Sequence, residues 1–393
     1  MIRTLSRPSR ISWMIAGILL SFVATTFSNA AGLDDGYPPG EAAPGRTCLS
    51  DALGQKTVSS YSGKALTCIL VNSVATWWVD GDPLPAIPAP ISSASAPTGV
   101  KPPGAVATST AYLWEKSASS AKAKGSKFIT MAGDRPAQVL IPGTLKPKVA
   151  APLIVALHGF MASPSDLISL MDLSTEAYKR SVVLAVPSGT RNNDGFPFWN
   201  ATGSCCDFNK SGVDDAKYLM DLVKAISAKV AIDQKRIYFV GHSNGGFMSY
   251  TLACQNSEKI AAIVSIEGST FADSTLCNAK SPVSILQVNG TADELIHIAG
   301  GNVFDDPKQP YPSVKDEQSY WAGIDGCSAL ATSSAQKFNY ESAIPGSETS
   351  KASFKCPKGL AVESWTISAG HHVPKFNAGF ISAIFDFLLA HKK

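Results

Sequence analysis

Through most of its length the chain alternates short, unbroken apolar runs with longer segments in which apolar positions recur every three or four residues. "APLIVALHG" from Ala151 and "SVVLAVPSG" from Ser181 carry no polar alternation and end in turn residues. Strands buried on both faces of a parallel sheet read this way. "RIYFVG" from Arg236, "IAAIVSIEGS" from Ile260, "VSILQVNGTADE" from Val283 and "AVESWTIS" from Ala361 extend the series. Between them, "VDDAKYLMDLVKAISAKVAID" places Tyr218, Leu219, Leu222, Val223 and Ile226 on one helical stripe, with Asp214 and Asp215 at the amino end where carboxylates suit the helix dipole. "AGFISAIFDFLLAHK" from Ala378 predicts a closing helix, and the stretch between the Val283 and Ala361 strands reads as loop-rich. Repeated strand–helix units of this kind predict an α/β architecture, an open and mostly parallel sheet flanked by helices. No internal repeat is found.

The first 126 residues are different in kind. Arg3, Arg7 and Arg10 precede an apolar run from Ile11 to about Phe27, followed by small residues at Ser28 and Ala30. That layout predicts a secretory signal peptide over residues 1–30, cleaved after Ala30 or Ala31 and leaving no membrane segment in the mature chain. An uncleaved anchor is the rival, since the run is near the lower limit for spanning a bilayer. Residues 31–126 read as an N-terminal extension. "ALTCILVNSVATWWV", Ala65 to Val79, has strand-like content, and with Cys48 and Cys68 predicts a small stapled hairpin, whose Trp77 and Trp78 are expected to pack it against the main domain, a polymer-binding surface being the rival reading. "GDPLPAIPAPISSASAPTGVKPPGAVATSTA" is rich in Pro, Ser, Ala and Gly, too poor in large apolar groups to offset the entropy of ordering, and reads as a linker. Residues 127–393 form the remaining domain, long enough to bury one large core.

Composition narrows the function. A formal charge of +3, carried away with the three arginines of the leader, argues against nucleic acid as a partner. All eight cysteines lie beyond the leader, and an even count in an exported chain argues for disulfides and a secreted or periplasmic location. Proximity favours Cys48 with Cys68, Cys254 with Cys277 and Cys327 with Cys356. Adjacent Cys205 and Cys206 are expected to find separate partners or to remain buried thiols, because a bridge between neighbours requires an unusual peptide geometry. No CxxC pair suggests a metal, and no cofactor is implied. Oligomeric state has no signature in the sequence.

The chemistry begins at Gly241-His242-Ser243-Asn244-Gly245, a G-x-S-x-G with a strand before it and a helix after it. A sharp strand-to-helix turn leaves room only for glycine two residues either side of the serine, whose Oγ stands above the sheet. A serine hydroxyl needs a base, and the base an orienting acid. In the order Ser, acid, His, each at a strand's carboxyl end, Asp293 follows the Val283 strand, with Glu294 as its less favoured neighbour, and His371 and His372 follow the last strand. Ser243 is then the nucleophile, Asp293 the acid and one of the paired histidines the base. The oxyanion would meet the N–H of Asn244 and that of Phe160, in the loop after "LIVALHGF", where His158 and Gly159 have a structural role.

"LIVALHGF", "VPSGT", "FWNATGSCCDF", "VDDAKYLMDLV", "RIYFVGHSNGGFMSYTLAC", "NGTADELI" and "GHHVP" follow one another over about residues 128–391. In this the chain resembles secreted α/β-hydrolase esterases of the polyhydroxybutyrate depolymerase and feruloyl esterase group. The resemblance implies an α/β-hydrolase fold, a nucleophile at Ser243, an acid at Asp293 and a base at His372, since the family's histidine lies five residues after the position of Ile367. Two positions depart from the pattern: His371 replaces a glycine, and Asn289 stands where many relatives have histidine. The expected activity is hydrolysis of polymeric or oligomeric carboxylic esters through an acyl-enzyme, polyhydroxybutyrate-type polyesters first and feruloyl or acetyl esters of plant polysaccharides second. A non-catalytic binding protein and a serine peptidase on the same fold are the competing classes. Trp199, in the "FWNATGSCCDF" loop, is placed either near substrate or in the core.

Overall fold

The computed structural model describes residues 56–58, 65–71, 74–79, 125–131, 135–193 and 195–393. The expected leader, Cys48 and the proline-rich linker lie outside them. Described residues before 80 and after 124 fall in two separate compact units. In the first, β1 (Lys56–Val58), β2 (Ala65–Val71) and β3 (Val74–Val79) form an antiparallel sheet. Its β2–β3 hairpin pairs Val71 with Val74 and Cys68 with Trp77.

The second unit is built on a ten-stranded sheet. Its strands are β4 (Lys127–Met131), β5 (Ala137–Ile141), β6 (Ala151–Leu157), β7 (Val183–Pro187), β8 (Ile232–His242), β9 (Ala262–Ile266), β10 (Ser284–Gly290), β11 (Ala331–Ser333), β12 (Thr349–Phe354) and β13 (Val362–Ile367). Across the sheet they run β11-β12-β13-β10-β9-β8-β6-β7-β5-β4. The run from β13 to β7 is parallel throughout, and the outer strands are antiparallel. The unbroken apolar runs all fall on parallel strands, because both faces of those strands are covered.

Side-chain alternation divides the core into two layers. Leu153, Val155, Ile237 and Phe239 point to one face, which is covered by α3 (Asp215–Ser227), α4 (Asn244–Gln255) and α5 (Val314–Ile324). Ile154, Ala156, Tyr238 and Val240 point to the other, covered by α1 (Pro164–Leu170), α2 (Ser174–Arg180) and α6 (Ala378–Ala390). Asp214 caps α3 by accepting the Lys217 N–H, as its position predicted. Asp215 goes further: buried, it pairs with Arg135 and accepts the Asn200 N–H at 2.6 Å, tying the Trp199–Asn200 loop to the start of α3.

Two expectations are corrected. The loop-rich stretch contains α5, whose buried face includes Glu317 and Gln318 beside Trp321, so its hydrophobic stripe is interrupted. Cys205 and Cys206 are bonded to each other across a cis peptide that brings their Cα atoms to 3.0 Å. The Cys254–Cys277 and Cys327–Cys356 bridges occur as paired by proximity. Among the described residues no helix is long and apolar enough to cross a membrane.

Candidate active site

The parallel strands end along one edge, and the loops leaving β6, β8, β9, β10 and β13 meet there. The β8–α4 turn fixes the first group. Ser243 is held at φ 54° and ψ −120°, a backbone conformation that non-glycine residues rarely adopt. Its N–H donates to the Ile266 carbonyl at 2.7 Å. A Cβ on Gly241 would fall 2.0 Å from the Gly245 carbonyl oxygen, and one on Gly245 would fall 2.2 Å from that of Leu157. Both positions therefore exclude a side chain, and the turn carries Ser243 to a partly exposed place at the start of a helix.

His372 comes from the loop after β13. Its Nε2 lies 2.9 Å from Ser243 Oγ, and its Nδ1 lies 2.9 and 3.0 Å from the two Asp293 carboxylate oxygens. A carboxylate can only accept, so Nδ1 carries the proton and the bare Nε2 faces the serine hydroxyl. Asp293 also accepts the N–H groups of Leu295 and Ile296 at 2.8 Å. Burial disfavours its charge, but hydrogen bonds from His372, Glu267 and Ile296 outweigh that and hold its carboxyl below the usual range. The two loops are joined directly, Ala292 N–H to the Gly370 carbonyl at 2.9 Å and Ala369 N–H to Thr291 Oγ1 at 2.8 Å.

His371 points elsewhere. Its side chain is 72% exposed and its Nδ1 lies 3.4 Å from Glu294, itself exposed. The structure thus brings Ser243, Asp293 and His372 together and leaves His371 and Glu294 outside. His242, inside the serine motif, is buried, and its Nε2–H donates to the His372 carbonyl at 2.7 Å. Burial pushes its pKa down to about 3, so it remains neutral.

The β6 loop also approaches Ser243. A Cβ on Gly159 would touch Ser243 Cβ at 3.3 Å, so this backbone passes immediately beside the elbow. Among the described residues the Phe160 N–H meets no protein acceptor. Asn244 occupies the first position of α4, where an N–H has no partner within its own helix. His158 is fully buried with a pKa lowered to about 4 by desolvation. It accepts the Gly189 N–H at 2.9 Å and donates to the Gly159 carbonyl at 2.8 Å, which matches a structural part.

Trp199 does not line the site. It is 0% exposed, its indole N–H donates to the His158 carbonyl at 2.9 Å, and the Asn244 amide clamps its backbone N–H and carbonyl at 2.7 and 2.9 Å. The nearby aromatic surface comes from residues that the apolar pattern did not single out. Phe160, Phe208 and Phe304 form a triangle with centroid separations of 5.4, 5.7 and 6.3 Å. Phe304 is 56% exposed and Met161 53%, leaving apolar surface open on the β6 loop and near Phe160. Glu267, buried against Asp293, was also missed, although a lone acid closing the apolar "IAAIVSI" run is a visible signal. Among the described residues no group of His, Cys, Asp or Glu is arranged to hold a metal ion.

The sheet order, the elbow after β8 and the loops after β10 and β13 define an α/β-hydrolase fold. The family model described as Phospholipase/Carboxylesterase matches residues 146–309. Feruloyl esterase B of Piromyces equi is 28% identical over 228 residues, 57% of this chain and 40% of that protein. A bifunctional acetylxylan esterase/xylanase of Neocallimastix patriciarum is 28% identical over 163 residues, 42% of this chain and 22% of that protein. Feruloyl esterase B of Talaromyces stipitatus is 27% identical over 144 residues, covering 36% and 38%. The chain thus spans less than half the length of each of these three relatives.

Proposed function

We propose that the chain is a serine carboxylic ester hydrolase acting through an acyl-enzyme. The observation that carries this reading is the position of His372, within 3.0 Å of both Ser243 Oγ and the buried Asp293 carboxylate. Ser243 Oγ attacks the ester carbonyl as His372 Nε2 takes its proton, and Asp293 stabilises the imidazolium formed. The N–H groups of Phe160 and Asn244 receive the oxyanion. Collapse expels the alcohol, which takes the proton from His372. Water then enters by the same route in reverse roles, releasing the acid and restoring Ser243.

For the acyl group we favour aromatic or acetyl esters of the kind borne by plant polysaccharides. Two observations support this: the Phe160–Phe208–Phe304 triangle offers ring faces next to the oxyanion loop, and the matched relatives are named for feruloyl and acetylxylan esters. Polyesters of 3-hydroxyacids remain the second reading, on the motif series and the exposed apolar Met161 and Phe304. We further propose export, with residues 1–30 as the leader, 31–126 as an accessory extension and 127–393 as the hydrolase; the three bridges of the second unit suit an oxidising compartment.

The test is a substrate panel of methyl ferulate, acetylated xylan, hydroxybutyrate oligomers and p-nitrophenyl butyrate, run beside Ser243→Ala. Turnover of at least one ester, falling by on the order of 10⁶ in the variant, is the expected result. A Ser243→Ala protein with near-normal turnover would refute the nucleophile, and inactivity of the native chain on all four esters would refute the activity.

A further inference from the structure

Glu267 is the residue immediately after β9, and its side chain is fully buried. It has φ 49°, a left-handed conformation that costs a non-glycine residue about 1 kcal/mol or more. Its N–H donates to the Val288 carbonyl at 2.9 Å, and its carboxyl oxygens lie 2.8 and 3.0 Å from the Gly290 N–H. These contacts hold the carboxyl on the turn after β10, where the Gly290 carbonyl in turn accepts the Asp293 N–H at 3.4 Å, so the two acids share one turn.

Two carboxyl groups can hydrogen-bond only if one of them carries a proton. Asp293 receives the Nδ1–H of His372 and the N–H groups of Leu295 and Ile296, three donors that stabilise a carboxylate. Glu267 has the single N–H of Gly290, and the charged groups that act on it are Asp293 and Glu294, both acidic. His372 stands on the far side of Asp293, and His242, the other titratable group of this cluster, is neutral and engaged with the His372 carbonyl. The proton therefore belongs to Glu267.

We propose that Glu267 is a positioning residue for the base: its neutral carboxyl donates to the Asp293 carboxylate and holds that group in line with His372 Nδ1. The inference rests on the reading of Ser243, His372 and Asp293 as a triad. Burial and the adjacent Asp293 both push the Glu267 carboxyl well above its usual range, in keeping with this arrangement. Glu267 directly follows β9 and Asp293 lies three residues beyond β10, its parallel neighbour, so both acids issue from adjacent strand ends.

The experiment compares kcat, KM and the pH profile of kcat/KM on p-nitrophenyl butyrate for native protein, Glu267→Ala, Glu267→Gln and Ser243→Ala, with thermal unfolding recorded for each. Glu267→Ala is expected to lower kcat by about ten- to a hundredfold with KM within about twofold, because the loss is one of alignment. Glu267→Gln should recover most of that loss, its amide N–H₂ donating to Asp293 and its oxygen accepting from Gly290. Its acid limb should stay within about 0.3 pH unit of native, since no charge has been removed. The proposal is overturned if Glu267→Ala keeps native kcat, if Glu267→Gln is as impaired as Glu267→Ala, or if the Glu267→Gln acid limb drops by about one unit, the mark of a lost negative charge. Should Glu267→Ala fail to fold, the near-isosteric Glu267→Gln profile decides alone. An active Ser243→Ala would remove the triad reading and this inference with it. An inactive Ser243→Ala beside failing Glu267 variants would remove only the inference.

Discussion

His242 Nε2 donates to the carbonyl of His372 across 2.7 Å, so the residue before Ser243 holds the backbone of the loop that carries the proposed base. The elbow and the base loop are therefore one hydrogen-bonded unit, although 130 residues separate the partners in the chain. Replacing His242 by Leu leaves a buried carbonyl unpaired and frees the loop. We expect kcat to fall by about ten- to a hundredfold through misalignment of His372, with the protein still folded. His242→Gln, which can place an N–H near the same point, should lose less. Steady-state kinetics of the two variants, compared at matched thermal stability, checks the ranking.

The paired histidines give a sharper contrast. His372 touches both Ser243 and Asp293, whereas His371 is largely exposed and faces Glu294. His372→Gln is expected to lower kcat by roughly 10³ or more, in the range seen when one member of such a unit is removed. His371→Gln should stay within about twofold of native, because an exposed pair at this distance contributes little. Equal losses in the two variants would mean that the base is shared.

Much of this site was legible in the sequence because its backbone demands are strict. Gly241 and Gly245 stand where any Cβ would collide with a carbonyl, and the unbroken apolar runs of β6 to β10 could only be strands covered on both faces. The outer antiparallel strands were less visible: β11 has three exposed residues and β12 is mostly half-buried, so neither writes a clear period. The α5 helix escaped because Glu317 and Gln318 occupy its buried face, where only a side-chain network makes polar groups affordable. Trp199 illustrates a different limit. A tryptophan beside a catalytic loop reads equally as wall or brace, and the choice is made by the Asn244 amide and His158 carbonyl, neither of which periodicity reveals.

The Glu317 network supplies a pH test independent of catalysis. Glu317 is fully buried, accepts from Ser269 at 3.0 Å and from Tyr250, and its pKa is pushed up to about 7, chiefly by burial. The folded state therefore holds this proton more tightly than an unfolded chain, whose glutamate titrates near 4.5. The resulting stabilisation is complete below about pH 4.5 and is lost as pH rises towards 7, by an amount on the order of 3 kcal/mol. Glu317→Gln cannot titrate. Its stability relative to native should accordingly improve between pH 4.5 and 7 and level off above. Urea unfolding of both proteins across that range measures the difference, and a constant difference would show that Glu317 does not change its protonation there.

Phe304 offers the cleanest handle on substrate choice, because it is 56% exposed and its removal leaves the buried layers intact. It completes the triangle with Phe160, the residue that follows Gly159 beside the elbow, and Phe208. If an aromatic acyl group rests against these rings, Phe304→Ala removes one face of the contact. An aromatic pair contributes roughly 0.5–1.5 kcal/mol beyond the area it buries. We expect KM for methyl ferulate to rise by about three- to tenfold with kcat little altered, the pattern of binding lost equally from ground and transition states. A contact made only by an aromatic acyl group leaves p-nitrophenyl acetate hydrolysed within about twofold of the native rate. Equal effects on both esters would place the aromatic group elsewhere, and no effect on either would reduce the triangle to a support for the Phe160 loop.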